Sequence, residues 1–378
     1  MNILVIGNGF DIAHHLPTQY RDFLDFVKAV RTPNNTDYSK FISELKKSNH
    51  KLYSEIETLA NNNVLIDYFL SIYEDRCKNG KKGWIDFESE ISGIVKAIDE
   101  AKKDIEQKCD NTNKPAKRIE RRFEKVLNPL IAGFRVEHTL STSSSSNAVY
   151  EYEPRYFDNL ANWTLKSLNR MIRLLEIYLH EYVEKAQCVY RLPDIEKINI
   201  DHILSFNYTD TFKRYYDPEG KAQYCFVHGK ATDSSAEDCN LVLGIDEYLP
   251  PERINDDNQF VWFKKFYQRI YKETGSEYLD WLDQLSGVNK MLSKAKPSQM
   301  NLFIYGHSLD VTDKDVLSKL ILMKDTKTHI FYHDRDSMAR QINNLVKVIG
   351  EENLIRMTGG KGRSIVFIQS KPAVEVSD

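Results

Sequence analysis

The N-terminus constrains the fold most. Asn2-Ile3-Leu4-Val5-Ile6 is a short continuous apolar run, cut off at once by Gly7-Asn8-Gly9. A run of this kind reads as a central strand buried on both faces, as in parallel sheets. Similar runs recur only after residue 200: His202 to Phe206, Tyr224 to Val227, Leu241 to Leu243, Leu302 to Tyr305, His329 to Tyr332 and Ile365 to Ile368. Each is bounded by Gly, Asn, Asp or His, which predicts about seven strands interleaved with helices in an α/β protein.

The stretch between the first strand and the rest is helical in pattern. Tyr20, Phe23, Leu24, Val27 and Val30 fall on one helix face, as do Trp84, Phe87, Ile91 and Ile94 or Val95. The series from Leu160 to Val183 repeats the pattern. A chain of 378 residues is long for one core. We therefore expect residues 1–34 and 196–378 to form an α/β core, with 35–195 as a large helical insertion. Lys114 to Lys125 is basic and poor in apolar residues, and Ser141 to Ser146 is of low complexity, so both read as mobile.

Composition narrows the function. The net charge of −3 gives no global attraction to nucleic acid or anionic lipid. No apolar run approaches the roughly 20 residues of a membrane span, and Gly7 ends the first run too early for a signal peptide. Cys77, Cys109, Cys188, Cys225 and Cys239 are scattered, with no C-x-x-C pair, so neither a disulfide framework nor a zinc site is indicated and no metal is expected. The natural compartment is a reducing cytoplasm.

Four loops follow four of the strands. The first is Gly7-Asn8-Gly9-Phe10-Asp11, the second Asn207-Tyr208-Thr209-Asp210-Thr211, the third His228-Gly229 and the fourth Gly306-His307-Ser308-Leu309-Asp310. In an open α/β sheet the loops at strand C-terminal ends converge on one crevice. Each loop has two readings. Gly7-x-Gly9 is either a tight turn or a phosphate cradle built from close backbone approach and free N–H groups. It departs from the dinucleotide fingerprint, because Ile12 holds the place of the third glycine. Asn207 either caps a turn or holds water or a hydroxyl through its amide. His228 either is a satisfied strand-end histidine or a base near neutral pH. His14 and His15 form an active-site rim or are simply solvated, and Asp11 could cap the helix that follows.

Two further clusters carry alternatives. On a helix, Asp86 and Glu88 of Trp84-Ile85-Asp86-Phe87-Glu88 point to different faces and make a poor metal pair. Glu88 either reaches into the crevice or is a capping or solvated residue. The run from Val261 to Tyr267, with Arg269, mixes aromatics with cations, which can suit nucleic-acid stacking; we expect instead an amphipathic helix whose core stripe is Trp262, Phe266 and Ile270, or Arg269 as an edge position.

Taken together, these motifs resemble the AbiH family of bacteriophage abortive-infection proteins. The residues that carry the resemblance are Gly7 to His14 with Leu16-Pro17-Thr18 and Tyr20, Trp84 to Glu88, Phe206-Asn207-Tyr208-Thr209, His228-Gly229, and Gly306 to Asp310 with Asp313. The same order of motifs looks like a remote sirtuin pattern, which implies a three-layer Rossmann-like, sirtuin-like sheet that binds NAD. On that pattern Gly7, Asn8, Gly9, Phe10, Asp11, Pro17, Thr18, Gly229, Gly306, His307 and Ser308 line the nucleotide. Asn207 and His228, 21 residues apart, then stand at the catalytic places. Thr209 replaces the pattern's Asp and the paired cysteines of its zinc module are missing, which speaks against a protein deacylase.

Cleaving the nicotinamide–ribose bond requires a grip on the pyrophosphate, a group that orients water, and a base near the ribose hydroxyls. The expectation is an antiphage effector with NAD as substrate or ligand. One alternative is a non-catalytic nucleotide sensor that signals through the helical insertion. Another is a metal-dependent nuclease toxin resting on Asp86, Glu88 and the basic segment. The implied partners are the nucleotide and a phage-derived trigger, with homo-oligomerisation open and no membrane.

Overall fold

The computed structural model describes residues 1–33, 36–79, 85–112, 118–141, 152–246, 259–286 and 299–376. They divide into two compact units. One comprises Met1–Gln19, Glu176–Val242 and Arg269–Asp378; the other comprises Tyr20–Leu175 and Leu243–Gln268.

The first unit is built on a six-stranded sheet. Its strands are β1 (Asn2–Ile6), β3 (His202–Ser205), β4 (Gln223–Phe226), β5 (Met300–Tyr305), β6 (Thr326–Tyr332) and β7 (Ile365–Gln369). A small antiparallel pair, β2 (Tyr190–Arg191) with β8 (Val374–Glu375), stands apart from it. The six strands run in the order β4-β3-β1-β5-β6-β7 and every pairing is parallel. The chain steps outward from β1 through β3 to β4, then crosses back and steps outward the other way through β5, β6 and β7. The order therefore reverses at β1 and β5.

Continuous apolar runs suit this sheet because both of its faces are covered. Ile3, Val5, Leu204, Leu302 and Ile304 face one apolar cluster with Val316, Leu320, Leu345 and Met357 from the helices Lys314–Ile321, Arg335–Ile349 and Glu351–Thr358. Leu4, Ile6, Ile203 and Tyr305 face a second, with Phe10, Ile195 and Phe212 from the helices Asn8–Ala13, Pro193–Glu196 and Thr211–Tyr216. Alternate strand residues thus serve opposite layers.

One expected strand is absent. Leu241, Val242 and Leu243 are fully buried, yet their backbone joins no ladder. Val242 N–H donates to the His228 carbonyl, and the Gln268 side-chain amide pairs with both the N–H and the carbonyl of Leu243. A side-chain amide thus substitutes for a neighbouring strand and satisfies buried peptide groups.

The second unit is helical, apart from a short 3-10 turn, Val261–Phe263. Tyr20–Arg31 buries Phe23, Leu24 and Val27, and Phe87–Thr112 buries Phe87, Ile91, Ile94 and Val95, the faces expected from spacing. Trp84 lies outside the described residues, as do 114–117 and 142–146. From Arg121 the basic segment is helix, continuing to Ser141, because Phe123, Leu127 and Leu130 give it a buried face. The expected core stripe of Trp262, Phe266 and Ile270 is a correction: these side chains are 45, 48 and 74% exposed. The 3-10 turn precedes the helix Lys265–Tyr271 and shifts its phase, so Phe263, Lys265 and Gln268 face inward instead.

Candidate functional site

The registers set the site. Ile6 pairs with Ser205 and with Tyr305, and Ser205 pairs with Phe226, so four strands end at one level. Asn8, Asn207, His228 and His307 each stand two residues beyond those ends. All four loops singled out in the sequence leave the sheet along this edge, flanking the reversal between β1 and β5.

The glycines are explained by backbone meeting backbone. A Cβ on Gly7 would lie 2.7 Å from His307 Cα, and one on Gly9 would lie 2.7 Å from Gly306 Cα. Gly306 itself has φ +68°, and a Cβ there would meet the Phe10 nitrogen at 2.2 Å. Gly9 N–H donates to the Gly306 carbonyl at 2.8 Å, and Gly7 N–H to the Tyr305 carbonyl at 3.2 Å. A phosphate cradle needs these N–H groups free. They are engaged by the β5 loop, so the grip expected of them is not available in this arrangement. Gly229, at φ +77°, likewise packs against the Asn240 backbone.

Other expected ligand residues do structural work. Phe10 is fully buried and packs edge-on against Tyr305. Thr18 Oγ1 donates to Asn8 Oδ1 at 2.6 Å while Asn8 Nδ2 donates to the Thr18 carbonyl at 3.2 Å, a clasp that closes the first loop. The Pro17 carbonyl accepts from Tyr178 Oη, and the Ser308 carbonyl from Asn344 Nδ2. Asn8 and Ser308 are exposed, so their remaining polar capacity faces solvent.

Beneath this rim are two buried polar clusters. In the first, His228 Nε2 lies 3.2 Å from Asp313 Oδ1, and His307 Nε2 lies 3.5 Å from Asp313 Oδ2. His307 Nδ1 accepts the Leu309 N–H at 2.9 Å. In a neutral ring the proton is then on Nε2, facing the carboxylate. Leu309 makes that N–H available by adopting φ +59°, a left-handed conformation costly for a leucine. Phe206 packs edge-on against both imidazoles. Asp313 is set by the turn Val311–Asp313, which Asp310 caps through the Thr312 N–H.

The second cluster holds Asp11 and Asn207. Asp11 lies inside the helix Asn8–Ala13, not at its cap, and is 1% exposed. Thr211 Oγ1 donates to Thr209 Oγ1, which donates to Asp11 Oδ2 at 2.5 Å. Burial pushes the Asp11 carboxyl up to about 6, against the lowering effect of Thr209, Thr211 and Asn207 and with a further push from Asp210. The Asn207 backbone is fixed by Ser205 Oγ, which accepts its N–H and donates to its carbonyl. Its amide lies near enough to act on Asp11, yet Asn207 Nδ2, Asn207 Oδ1 and Asp11 Oδ1 are all buried without a directed hydrogen bond. Asn207 is therefore not capping the helix Thr211–Tyr216.

Asp313 and the Thr209–Thr211 relay were not picked out as site residues in the sequence. The signal for Asp313 was its place among the residues that carry the family resemblance, three positions beyond Asp310, and nothing local marks it as a histidine partner. His14 is a correction to both of its readings. It is buried, with Nδ1 bonded to the Phe10 carbonyl and Nε2 to Tyr216 Oη, each at 2.7 Å. His15 is exposed and stacks on Tyr190. In the second unit, Asp86 caps a helix by accepting the Glu88 and Ser89 N–H groups, and Glu88 pairs with Lys265 at 2.8 Å. Among the described residues no group of three or more His, Cys, Asp or Glu is arranged to hold a metal ion.

An open parallel sheet, covered by helices and carrying buried polar clusters where its strand order reverses, defines an α/β protein of the class in which ligand sites, where there are any, lie at strand C-terminal ends. The chain matches the family described as bacteriophage abortive infection AbiH over residues 3–333, and it belongs to that family. Membership gives it a role in abortive infection, a form of antiphage defence. No curated protein and no solved structure matches it. Among the described residues no helix is long and apolar enough to cross a membrane.

Proposed function

We propose that this antiphage protein binds NAD at the β1, β3, β4 and β5 strand ends and cleaves its nicotinamide–ribose bond. The observation that carries the reading is the Asn207 amide, 5% exposed and set beside the Asp11 carboxyl, with neither polar atom in a hydrogen bond of good geometry. Leaving a buried amide unpaired costs about 1–3 kcal/mol, and a ligand hydroxyl or water that satisfies it recovers that energy. The strand order supports a Rossmann-like, sirtuin-like sheet: numbered along the chain, its six strands run 3-2-1-4-5-6, the order of dinucleotide-binding folds.

Each residue has a task on this reading. Asn207 orients a ribose hydroxyl or water through its amide. His228, held by Asp313, accepts a proton from a ribose hydroxyl, and the carboxylate stabilises the imidazolium that results. Phe206 keeps water from the far side of both imidazoles. Bond cleavage develops positive charge on the ribose while the departing nicotinamide becomes neutral, so the site needs negative charge and no strong acid. The exposed Asn8 and Ser308 form the polar rim at which the rest of the nucleotide would enter.

The test is nicotinamide release from NAD by the purified chain, with and without phage-infected extract. His228→Ala and Asn207→Ala should each lower release by about a hundredfold or more while the protein remains folded. Full turnover in His228→Ala would remove its assigned role. The sensor reading is favoured by one observation, the engagement of the Gly7 and Gly9 N–H groups by the β5 loop, since a ligand that needs them must move that loop. NAD binding by calorimetry without product would select it.

A further inference from the structure

We infer that Asp11 is a further catalytic residue: its Oδ1, together with the Asn207 amide, holds the attacking water and takes its proton. The inference rests on the NAD-cleaving reading of the same site. Two observations and two physical arguments lead to it. Asp11 Oδ2 is already fixed by Thr209, itself held by Thr211, whereas Oδ1 is buried without a hydrogen bond of good geometry. Asn207 beside it acts on the Asp11 carboxyl, yet neither atom of its amide makes a hydrogen bond of good geometry. A buried water is stable only where two to four polar partners surround it, and these three atoms supply that number. Finally, no structural need is met by leaving them unpaired, since an apolar residue at position 11 would fill the space without a buried charge.

The step balances. The water O–H bond breaks and its proton passes to the Asp11 carboxylate, while the oxygen lone pair forms the bond to ribose C1′. The C1′–N bond breaks and its electron pair returns to the pyridinium nitrogen, releasing neutral nicotinamide. Asp11 then gives its proton to solvent. His228 and Asp313 act on the ribose hydroxyl and are not needed for this transfer.

A buried carboxyl raised toward neutrality makes a competent base above pH 6. The groups that face it are few. Thr209, Thr211 and Asn207 lower its pKa, Asp210 raises it, and Cys188 interacts with it from the segment before β2. His14, one turn along the same helix, is held neutral. The proposal therefore predicts an acid limb in the rate profile near pH 6.

The experiment measures nicotinamide release against pH for the full chain with infected extract, and NAD affinity by calorimetry. Asp11→Asn should reduce release about a hundredfold or more, keep NAD affinity within about threefold, and lose the limb in its residual activity. Thr209→Val removes a bond that holds the carboxyl down, so the acid limb of whatever release remains should move to higher pH. Formate added to Asp11→Ala should restore part of the activity, which a merely structural role would not allow. If the wild type releases nicotinamide and Asp11→Asn releases as much with the same limb, the inference is overturned and the NAD reading stands. If the Thr209→Val limb does not move, Asp11 is not the group that titrates. If the wild type releases none under either condition, the NAD reading fails and the inference with it.

Discussion

Asp11 and His14 lie one turn apart on the helix Asn8–Ala13 and its C-cap, each 1% exposed, and their surroundings are opposite. Both polar atoms of the His14 ring are bonded. Its Nδ1–H donates to the Phe10 carbonyl, so Nε2 must accept from Tyr216 Oη, which in turn accepts the Leu192 N–H. One tautomer satisfies the whole chain, and burial lowers the pKa to about 4. Asp11 has one oxygen bonded and one open, next to an amide that is itself open. A buried network with every member satisfied fixes a structure, whereas one left partly open is a destabilising arrangement that persists at functional sites. The comparison separates a histidine that is part of the scaffold from a carboxylate that is available for chemistry.

The most severe change would fall on the seat of the helix that carries both residues. Gly306→Ala places a Cβ 2.2 Å from the Phe10 nitrogen, in a backbone conformation of φ +68° that alanine disfavours. Backbone cannot yield as a side-chain tip would, so a loss of at least about 4 kcal/mol is expected, with little folded protein. Circular dichroism and urea unfolding read this directly. A variant with near-native stability would show that the two loops do not approach so closely.

A smaller break falls on the satisfied side. His14→Ala deletes a buried ring that packs on Phe10 at 4.6 Å and leaves the Phe10 carbonyl and Tyr216 Oη short of a partner. Cavity and unpaired groups together should cost roughly 3 kcal/mol. If the chain binds NAD as proposed, the affinity of the fraction that stays folded should be unchanged, because the His14 ring packs on Phe10, Tyr215 and Tyr216 and both its nitrogens are bonded within the scaffold. Lost affinity in well-folded His14→Ala would put the histidine in the site.

Much of this was legible in the sequence and some was not, for physical reasons. Strands buried on both faces are written as continuous apolar runs, so β1, β3, β4, β5, β6 and β7 could be read directly. Leu241 to Leu243 has the same composition but finds its backbone partner in the Gln268 side chain, a tertiary fact with no local mark. Loop positions at strand ends were legible because parallel topology forces them to one edge. What each residue does there was not. Gly7 and Gly9 look alike whether their neighbour is a phosphate or the backbone of Gly306, and pattern alone gave His14 and His228 the same standing. Burial and partners tell them apart: Tyr216 and Asp313 lie 202 and 85 positions away, respectively, and no spacing rule connects them.

The smallest expected effect is on the pH dependence of stability, where Asp11 and His14 act in opposite directions. Asp11 is raised from 3.8 to about 6, so the folded state binds the extra proton; its contribution is full below pH 3.8 and is lost as pH rises through 6. His14 is lowered from 6.5 to about 4, so the unfolded state binds the extra proton; its contribution is full above pH 6.5 and is lost as pH falls through 4. Both shifts span roughly two pH units, about 3 kcal/mol each, and they oppose one another over the same window. In the wild type they largely cancel between pH 4 and 6. Asp11→Asn removes one of them. Relative to the wild type it should gain about 2–3 kcal/mol as pH rises from 4 to 7.5, starting roughly 1 kcal/mol below it near pH 4 because the amide meets Thr209 less favourably than a carboxyl does, and ending roughly 1–2 kcal/mol above it at pH 7.5. Urea unfolding of both proteins across that range measures the difference. Parallel curves would mean that Asp11 is not held in a raised state, and the contrast with His14 would then reduce to two satisfied residues on one helix.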